Sequence, residues 1–394
     1  MREVVIVSAV RTAIGRFNGA LASMSAVELG TTAVRDALRR AAIAPPDVSE
    51  VIMGQVLQAG AGPSPARQVL LKAGIPCSVP AYTVNKVCGS GLKAVTLGAL
   101  AVAAGESEIV VAGGMESMSC APYLLPKARW GYRLGDDQLL DSILRDALVD
   151  PSENYHMAQT AENLAAEFKI SRRQQDEFAA MSQQRAAAAM QGGNLAAEIV
   201  GIPVPQRKGP PQMFVADEGP RPETTLELLT ALKPAFRSDG TVTAGNASTL
   251  NDGAAALVMM SAAEAQRRGL RPLARVLSWA SAGVEPARMG CGPVPATQAA
   301  LAKAGITLAA LDAVEVNEAF AAQVLAVIQQ LGLDHDKVNL NGGAIALGHP
   351  VGASGARILV TLLHVLAARQ LRYGLATLCV GGGQGIAVVV ERCA

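Results

Sequence analysis

The chain has 394 residues, of which 50% are hydrophobic and 17% are charged, and its formal net charge is +1. A chain of this length and composition should fold into two or three domains with large cores, which argues against intrinsic disorder. Because Lys and Arg form no cluster we expect no nucleic-acid partner, and because we find no apolar run of about 18 residues we expect no membrane span.

In the first third of the chain, short apolar runs alternate with Ala-rich helical patterns. Residues 4–7, 51–53 and 109–111 have the composition of buried strands, and Ser25 with Glu28 forms a capping box that predicts a helix start. This alternation predicts an α/β fold in which a mostly parallel sheet is covered by helices on both faces.

A similar order of elements begins again near residue 271. Further strands are predicted at residues 274–277, 313–316, 377–380 and 386–390. One predicted helix ends at Gly305, and another could begin with Asn317 as its N-cap and end at Gly332. The two halves therefore indicate an internal duplication.

The stretch between the two halves is rich in Pro, Arg, Gln and Met. Ser171 and Gln174 form a second capping box there, before an Ala-rich helix. We interpret this stretch as an insertion. The predicted domains are residues 1–119 together with 248–270, a loop domain at 120–247, and residues 271–394.

Cys88 lies between a strand-like segment and an Ala/Leu-rich helical segment, and Gly89 follows it directly. This placement predicts a cysteine at a helix N-terminus, where the helix dipole and free N–H groups favour a thiolate. Cys88 is therefore a candidate nucleophile. The alternative is a buried cysteine that acts only as a small apolar side chain.

His349 ends a glycine-rich segment, residues 341–348, just before a helix predicted to begin near Pro350. An isolated histidine is more often structural than catalytic. Here the density of glycine predicts a tight loop that holds the imidazole outward, where it could take a proton from Cys88.

Cys379 precedes a glycine cluster in which Gly381 and its neighbours could direct backbone N–H groups at an oxyanion. A phosphate-binding loop is the rival interpretation, but a strand rather than a helix follows and no Walker lysine is present. Asn317 has two interpretations, a helix N-cap or an amide that positions a water molecule.

The histidines and cysteines show no metal-ligand spacing and no C-x-x-C pair, and no strand–GxGxxG–helix unit for a nicotinamide is present. His335 and His364 are interpreted as structural. The six cysteines are expected to be reduced, as in a cytosolic protein: Cys77, Cys88, Cys120, Cys291, Cys379 and Cys393.

Three motifs in this order are highly specific: Asn317-Glu318-Ala319-Phe320, residues 348–355 and residues 379–387. With them, essentially the whole chain resembles the thiolases, and in particular their acetyl-CoA acetyltransferase branch. The resemblance implies a five-layer αβαβα fold made of two similar domains and an inserted loop domain. It also implies a homotetramer, a dimer of dimers, with residues 123–131 as the tetramerisation loop.

The resemblance also implies roles for the candidate residues. Cys88 is the nucleophile that takes the acyl group, and His349 activates it and forms one oxyanion hole with a water held by Asn317. The backbone amides of Cys88 and Gly381 form a second oxyanion hole. Cys379 is the acid/base at the α-carbon of the acetyl-CoA being joined.

Further residues are implied to bind CoA or to line the acyl tunnel: Leu148, His156, Met157, Arg221, Phe236, Ala244, Ser248, Met289, Ala319 and Phe320. The substrates and products are then acetyl-CoA, acetoacetyl-CoA and CoA, with no cofactor and no metal, and the expected location is the cytoplasm.

Three alternatives stay open on sequence alone. A degradative 3-ketoacyl-CoA thiolase would have the same chemistry and a wider pocket. A decarboxylating ketoacyl synthase would be expected to supply a second histidine beside the cysteine, and no loop-borne candidate comparable to His349 is found. An inactive thiolase-fold binding protein is less favoured, because it would not require Cys88, His349 and Cys379 together.

Overall fold

The computed structural model describes residues 1–206 and 208–393. Its strands are β1 (Val4–Thr12), β2 (Gly15–Arg16), β3 (Glu50–Gly54), β4 (Ala81–Val84), β5 (Ile109–Ser117), β6 (Tyr123–Leu124), β7 (Leu140–Asp141), β8 (Val149–Asp150), β9 (Tyr155–His156), β10 (Ile199–Val200), β11 (Ile202–Val204), β12 (Gln212–Phe214), β13 (Asn251–Ser261), β14 (Ala274–Gly283), β15 (Ala313–Val316), β16 (Tyr373–Val380) and β17 (Gln384–Arg392). Its α-helices are α1 (Ala26–Arg40), α2 (Pro65–Lys72), α3 (Ser90–Ala104), α4 (Ala158–Glu167), α5 (Arg172–Gln191), α6 (Leu226–Thr230), α7 (Ala262–Arg267), α8 (Pro293–Ala304), α9 (Ala321–Leu331), α10 (Ala344–Leu347) and α11 (Val351–Ala368).

The strand order repeats between the two halves of the chain. The first half has the order β1-β13-β5-β3-β4, and the second has β14-β17-β16-β15, with Val338 bridging Val314 in parallel where the first half has β4 beside β3. The two half-sheets join where β1 pairs with β14 over Val5 and Ile6. The duplication predicted from element order is therefore present in the topology.

The sheet is mixed, so the prediction of a mostly parallel sheet is wrong. Neighbours pair in parallel at β3/β4, β3/β5 and β15/β16, but antiparallel at β1/β13, β5/β13, β14/β17 and β16/β17. The reason is local for β16 and β17, because the short glycine turn at residues 381–383 can join only antiparallel strands.

Three apolar cores define five layers. One core joins α1 and α2 to the outer face of the first half-sheet, and another joins α8 and α9 to the outer face of the second. The third lies between them, where α3 and α11 pack on each other and on both half-sheets. The αβαβα architecture is thus helix pair, sheet, central helices, sheet and helix pair.

Helix boundaries follow local chemistry at most predicted positions. Ser25 and Ser171 each complete a capping box, and Gly305 and Gly332 end α8 and α9 with positive φ angles. The prediction of Asn317 as an N-cap is wrong, because α9 begins only at Ala321 and its N-cap is Phe320.

The expectation that no segment is long and apolar enough for a membrane span also needs correction. Within the described residues, Val87–Ala104 and Val351–Ala368 pass that test by length and composition. Of the second segment, 83% is buried inside the protein. These segments contain the two central helices α3 and α11, whose apolar surfaces face both half-sheets.

Candidate active site

Cys88 lies in a tight turn between β4 and α3. Val87, just before it, has the unusual φ of 45°. Ser90 fixes the turn, since its Oγ accepts a hydrogen bond from the Lys86 N–H at 2.9 Å and donates one to the Val87 carbonyl at 2.6 Å. A Cβ at Gly89 would lie 2.8 Å from the Val380 side chain, so glycine is needed there. Backbone strain of this kind is typical of functional sites.

The Cys88 sulfur is a thiol at rest and not the thiolate expected from the helix N-terminus. Cys88 packs against an apolar cluster that includes Val56, Leu57 and Val351. Loss of water raises its pKa to about 11, although hydrogen bonds from the backbone N–H groups of Gly381 and of Cys88 itself act in the opposite direction. The two amides that face the sulfur are the pair predicted to form an oxyanion hole.

His349 lies immediately before α11 and is 6% exposed, so the prediction that a loop holds it outward is wrong. Its Nδ1 is 2.6 Å from Ser354 Oγ, which donates its own hydrogen to the Pro350 carbonyl at 2.9 Å. Ser354 must therefore accept from Nδ1–H, which assigns the tautomer and leaves the lone pair on Nε2. The His349 N–H donates to Asn251 Oδ1 at 2.9 Å.

The free ring nitrogen of His349 faces Asn317. Asn317 Nδ2 lies 3.4 Å from His349 Nε2, and Asn317 Oδ1 is buried with no hydrogen-bond partner among the described residues. Burial, and secondarily the charge of Arg357, lowers the His349 pKa to about 3. The imidazole is therefore neutral and can accept a proton at Nε2.

Cys379 and Gly381 lie where β16 turns into β17. Cys379 is 1% exposed, and its pKa is raised well above the usual value, first by burial and next by the electrostatic effect of Cys88. A Cβ at Gly381 would lie 2.9 Å from Met157 Cε and 3.1 Å from Val87 Cγ1. Glycine at 381 therefore lets the amide approach Cys88.

The predicted acyl-tunnel residues divide into a deep group and a mouth group. The deep group surrounds Cys379 in one buried cluster and comprises Met157, Met289, Ala319 and Phe320. The mouth group lines a cavity of about 760 Å³ and comprises Leu148, His156, Arg221, Phe236, Ala244, Ser248 and Phe320. Phe320 belongs to both groups, and His349 also lines the cavity, so the cavity reaches the candidate base.

The wall of this cavity is tied to the segment that carries Asn317. The Ser248 N–H donates to the Ala319 carbonyl at 3.0 Å, and the Ala321 N–H donates to the Asn246 carbonyl at 2.9 Å. Across the cavity, the His156 ring stacks on Phe236 with centroids 4.5 Å apart. These backbone hydrogen bonds link the loop at residues 246–248 to the segment that carries Asn317.

Two positioning residues were missed by the sequence analysis. Ser354 lies in the quoted glycine motif, and its position one helical turn after His349 was a usable signal. Asn251 gave no such signal, because its contact with His349 spans 98 positions in the chain. Within residues 1–206 and 208–393, no group of three His, Cys, Asp or Glu side chains is placed to hold a metal ion.

This arrangement can carry out acyl transfer. The Cys88 thiol and the His349 imidazole are both neutral, and acyl transfer needs such a pair, in which a thiol attacks a carbonyl while its proton moves to a base. The Cys88 and Gly381 amides can stabilise negative charge on one side, and the Asn317–His349 pair can do so on another. A second sulfur, that of Cys379, lies in the buried cluster that shares Phe320 with the cavity.

Comparison with known proteins gives one family for both halves of the chain. Residues 4–263 match the family described as "Thiolase, N-terminal domain", and residues 270–392 match "Thiolase, C-terminal domain". A relative named acetyl-CoA acetyltransferase from Escherichia coli (strain K12) is 61% identical over 393 residues, and one of the same name from Pseudomonas aeruginosa is 58% identical over 392 residues. Both alignments cover 100% of each chain.

Two solved structures resemble the whole chain. The crystal structure of the Bacillus anthracis acetyl-CoA acetyltransferase has a TM-score of 0.98 at 46% identity and covers 100% of this chain and 99% of its own. The crystal structure of human mitochondrial 3-ketoacyl-CoA thiolase in complex with CoA has a TM-score of 0.96 at 46% identity. The match covers 100% of this chain and 98% of the human one.

Proposed function

This chain belongs to the thiolase family, and we propose that it is an acetyl-CoA C-acetyltransferase. It joins two molecules of acetyl-CoA into acetoacetyl-CoA and CoA, and it catalyses the reverse thiolysis. One observation carries the proposal: Cys88 accepts a hydrogen bond from the Gly381 amide, two residues after the buried Cys379, and His349, which lies 3.4 Å from Asn317, lines the cavity. A Claisen condensation needs such a nucleophile, carbon base and set of charge-stabilising groups.

In the first half-reaction, Cys88 attacks the thioester carbonyl of acetyl-CoA while its proton moves to Nε2 of His349. The amides of Cys88 and Gly381 stabilise the resulting oxyanion. Collapse expels the CoA sulfur, which takes the proton of the neutral Cys379 thiol. The products are an acetyl group on Cys88, free CoA, an imidazolium at His349 and a thiolate at Cys379.

In the second half-reaction, the Cys379 thiolate removes a proton from the methyl carbon of a second acetyl-CoA. Burial raises the Cys379 pKa well above the usual value, so this thiolate is a strong base. The carbanion attacks the acetyl group on Cys88, and a water held by Asn317 together with His349 stabilises the enolate oxygen. Expulsion of the Cys88 sulfur, which regains its proton from His349, releases acetoacetyl-CoA and gives ping-pong kinetics.

The protein side chains perform every proton transfer in this scheme, and we propose no cofactor. The cavity lined by His156, Ala244 and Ser248 holds the pantetheine arm, and Arg221, exposed at its edge, meets the nucleotide end of CoA. The six free cysteines suit a cytoplasmic location.

We propose a homotetramer built as a dimer of dimers. The β6/β7 hairpin projects large apolar side chains, among them Tyr123, Trp130 and Leu139, which are 64%, 82% and 62% exposed. Apolar surface concentrated on a projecting hairpin supports an interface between copies.

A second candidate function is a 3-ketoacyl-CoA thiolase that cleaves longer chains. The likeness to human mitochondrial 3-ketoacyl-CoA thiolase, at a TM-score of 0.96, favours it. The chemistry would be unchanged, and the acyl tunnel around Met157, Met289 and Phe320 would have to admit a longer chain.

The experiment that tests this proposal is CoA-dependent cleavage of a 3-ketoacyl-CoA series, from acetoacetyl-CoA to long chains, with purified protein. Activity confined to acetoacetyl-CoA is the result we expect. Activity that extends to long chains would replace the first candidate with the second. No cleavage of any member would contradict both and favour a binding protein with this fold.

A further inference from the structure

Glu116 is a buried carboxylate that the mechanism above does not use. It is the penultimate residue of β5 and has an exposed fraction of 0%. Its carboxylate accepts three backbone N–H groups: Oε2 from Val56 at 3.0 Å and from Gly352 at 2.9 Å, and Oε1 from Leu57 at 3.2 Å. Three backbone amides hold this charge, which is an uncommon way to bury an acid.

The three donors come from the two halves of the chain. Val56 and Leu57 lie in the loop after β3 of the first half, whereas Gly352 lies in the first turn of α11 of the second half. A Cβ at Gly352 would be 2.7 Å from both Glu116 Oε2 and the Met115 carbonyl. The start of α11 therefore rests directly on the end of β5, and the Glu116 carboxylate joins it to the loop.

Both reactive groups depend on the parts that Glu116 joins. Cys88 packs against the cluster that contains Val56, Leu57 and Val351, so its sulfur rests on the loop and on the start of α11. His349 is three residues before Gly352, and the hydroxyl that holds its ring, that of Ser354, is two residues after it. A shift of this helix end relative to the loop would move the base relative to the nucleophile.

We propose that Glu116 is a positioning residue of the acyl-transfer site: its carboxylate clamps the start of α11 to the loop after β3 and so holds His349 in register with Cys88. The inference rests on the proposed acyl-enzyme chemistry and adds a residue to it. A displacement of about 1 Å between reacting groups is enough to slow such a step about a hundredfold.

The charge state of Glu116 gives the clamp a pH dependence. Burial raises the Glu116 pKa to about 7, against the effect of the three amides. Below that pH the carboxyl carries a proton, one oxygen becomes a donor that faces N–H groups, and the clamp weakens. Activity should therefore fall as the pH drops through about 7.

Other titratable groups surround this end of β5. Asp252 on β13 and Cys88 before α3 interact with the Glu116 charge, and His349 lies three residues before its partner Gly352. On the other side, α1 meets β5 through Gly30 against Met115. The pKa of His349 is lowered to about 3 and that of Cys88 is raised to about 11, so neither titrates near neutrality. Burial also raises the Asp252 pKa, so a variant of Asp252 is needed as the control for a pH dependence assigned to Glu116.

The test compares Glu116→Gln with Asp252→Asn in the full-length enzyme. The concentration of active sites in each preparation is measured as the fraction of Cys88 that iodoacetamide alkylates. The values of kcat and of KM for CoA in acetoacetyl-CoA cleavage are then measured from pH 5.5 to 9, with kcat expressed per competent (alkylatable) site. An amide at 116 presents N–H groups to N–H donors, so we expect kcat per competent site to fall about tenfold or more and KM for CoA to change less than about twofold.

The pH profile separates positioning from a merely structural role. The acid limb is the fall in kcat as the pH drops through about 7. We expect it in the wild type and in Asp252→Asn but not in Glu116→Gln. An unchanged kcat per site, or an acid limb that persists in Glu116→Gln, would overturn the proposal. A merely structural role would reduce the number of competent sites and leave both quantities unaltered.

A second variant covers the case in which Glu116→Gln does not fold. Glu116→Asp keeps the charge but shortens the side chain by one methylene, so we expect a lower kcat with an acid limb still present. A Glu116→Asp enzyme identical to the wild type in both respects would overturn the clamp. Failure of the wild type to acylate Cys88 would instead contradict the proposed function, which keeps the two failures distinguishable.

Discussion

The two cysteines of the site are both neutral at rest, and for the same reason. Cys88 and Cys379 are surrounded by apolar side chains, and loss of water raises the pKa of each thiol. Only Cys88 has two backbone N–H groups directed at its sulfur. That difference suits Cys88 to carry an acyl group beside an oxyanion hole, and it suits Cys379 to move a proton.

This division of roles predicts the behaviour of Cys379→Ser. Acetylation of Cys88 should persist, because the nucleophile, His349 and the two amides are untouched and the CoA thiolate can leave without a proton from residue 379. Condensation should fall by about 10²–10⁴-fold, because a serine alkoxide is not accessible as a carbon base. Rates of acyl-enzyme formation and of acetoacetyl-CoA formation are measured separately, with Cys120→Ser, an exposed thiol, as the control. Normal condensation in Cys379→Ser would refute the assigned role.

Ser354 should matter to the rate although it does not reach the substrate. Its hydroxyl accepts the Nδ1–H of His349, and this hydrogen bond strengthens when the ring becomes charged in the transition state. Removing it in Ser354→Ala should cost about 1.5–3 kcal/mol, which is roughly a ten- to hundredfold loss of kcat, with little change in KM. Steady-state kinetics of thiolysis measure this split, and a kcat equal to that of the wild type would contradict the assigned tautomer.

Residue identities in the site could be predicted because they lie in short motifs, but their surroundings could not. Cys88, His349, Cys379 and Asn317 were all named from sequence, and the structure pairs Asn317 with His349 and Cys88 with the Gly381 amide beside Cys379. That His349 is packed inside rather than held out depends on the layers on both sides of α11, which no local pattern encodes. Glu116 was missed because, in a strand buried on both faces, its carboxylate is explained only by amides that are distant in sequence.

At the scale of elements, the contact between α3 and α11 determines how close the nucleophile and the base can come. A Cβ at Gly91 would lie 2.8 Å from the Ala356 nitrogen and 3.0 Å from the Gly352 carbonyl, and one at Gly355 would lie 2.5 Å from the Leu92 nitrogen. These approaches are to backbone atoms, which cannot rotate away. The two helices therefore touch over glycine, close to the ends that carry Cys88 and His349.

The Gly91→Ala substitution should force the two helices apart. Overpacking of this kind costs about 1–3 kcal/mol, and a displaced α11 should also lower kcat. The matched control is Gly283→Ala, since a Cβ there would meet only the Gly383 carbonyl at 4.0 Å. Thermal unfolding and thiolysis kinetics of both variants check the prediction. Equal stability of the two variants would show that the helix contact is looser than described.

Element types were predictable from sequence, but strand directions were not. The strands near residues 4, 51, 109, 274 and 313 and both capping boxes were found, because hydrophobic period and cap chemistry are local. The β-α alternation suggested a mostly parallel sheet. It failed because β13 and β17 each lie between neighbours to which they run antiparallel, and pairing is decided by the whole sheet.

At the scale of the whole molecule, the β6/β7 hairpin carries apolar surface that a lone chain leaves in water. Trp130 is 82% exposed and Leu134 is 101% exposed. If the hairpin joins dimers into tetramers, Trp130→Ser together with Leu134→Ser should yield dimers with nearly unchanged activity per subunit. Sedimentation equilibrium measures this, with Met213→Ser on β12, a 55% exposed apolar residue, as the control. Tetramers that persist in the double variant would place the interface elsewhere.

The duplication was visible at this scale only as a repeated element order, and the structure shows why so little sequence identity is needed. Each half needs only the same strand order and one face of α3 or α11 to complete the central layer. The predicted domain limits at residues 119, 247 and 270 stay predictions. Burial of apolar surface explains why α3 and α11 pack together between the half-sheets, but it does not show at which residue one domain ends and the next begins.

The central claim is that Cys88 carries the acyl group, and it is tested most directly by trapping the intermediate. The protein is mixed with acetoacetyl-CoA alone, quenched in acid, digested and analysed by mass spectrometry. We predict one acetyl group on the peptide that contains Cys88, and none on the peptide that contains Cys379, with loss of the label when CoA is added before the quench. An acetyl group found on Cys379, or on neither cysteine, would contradict the account.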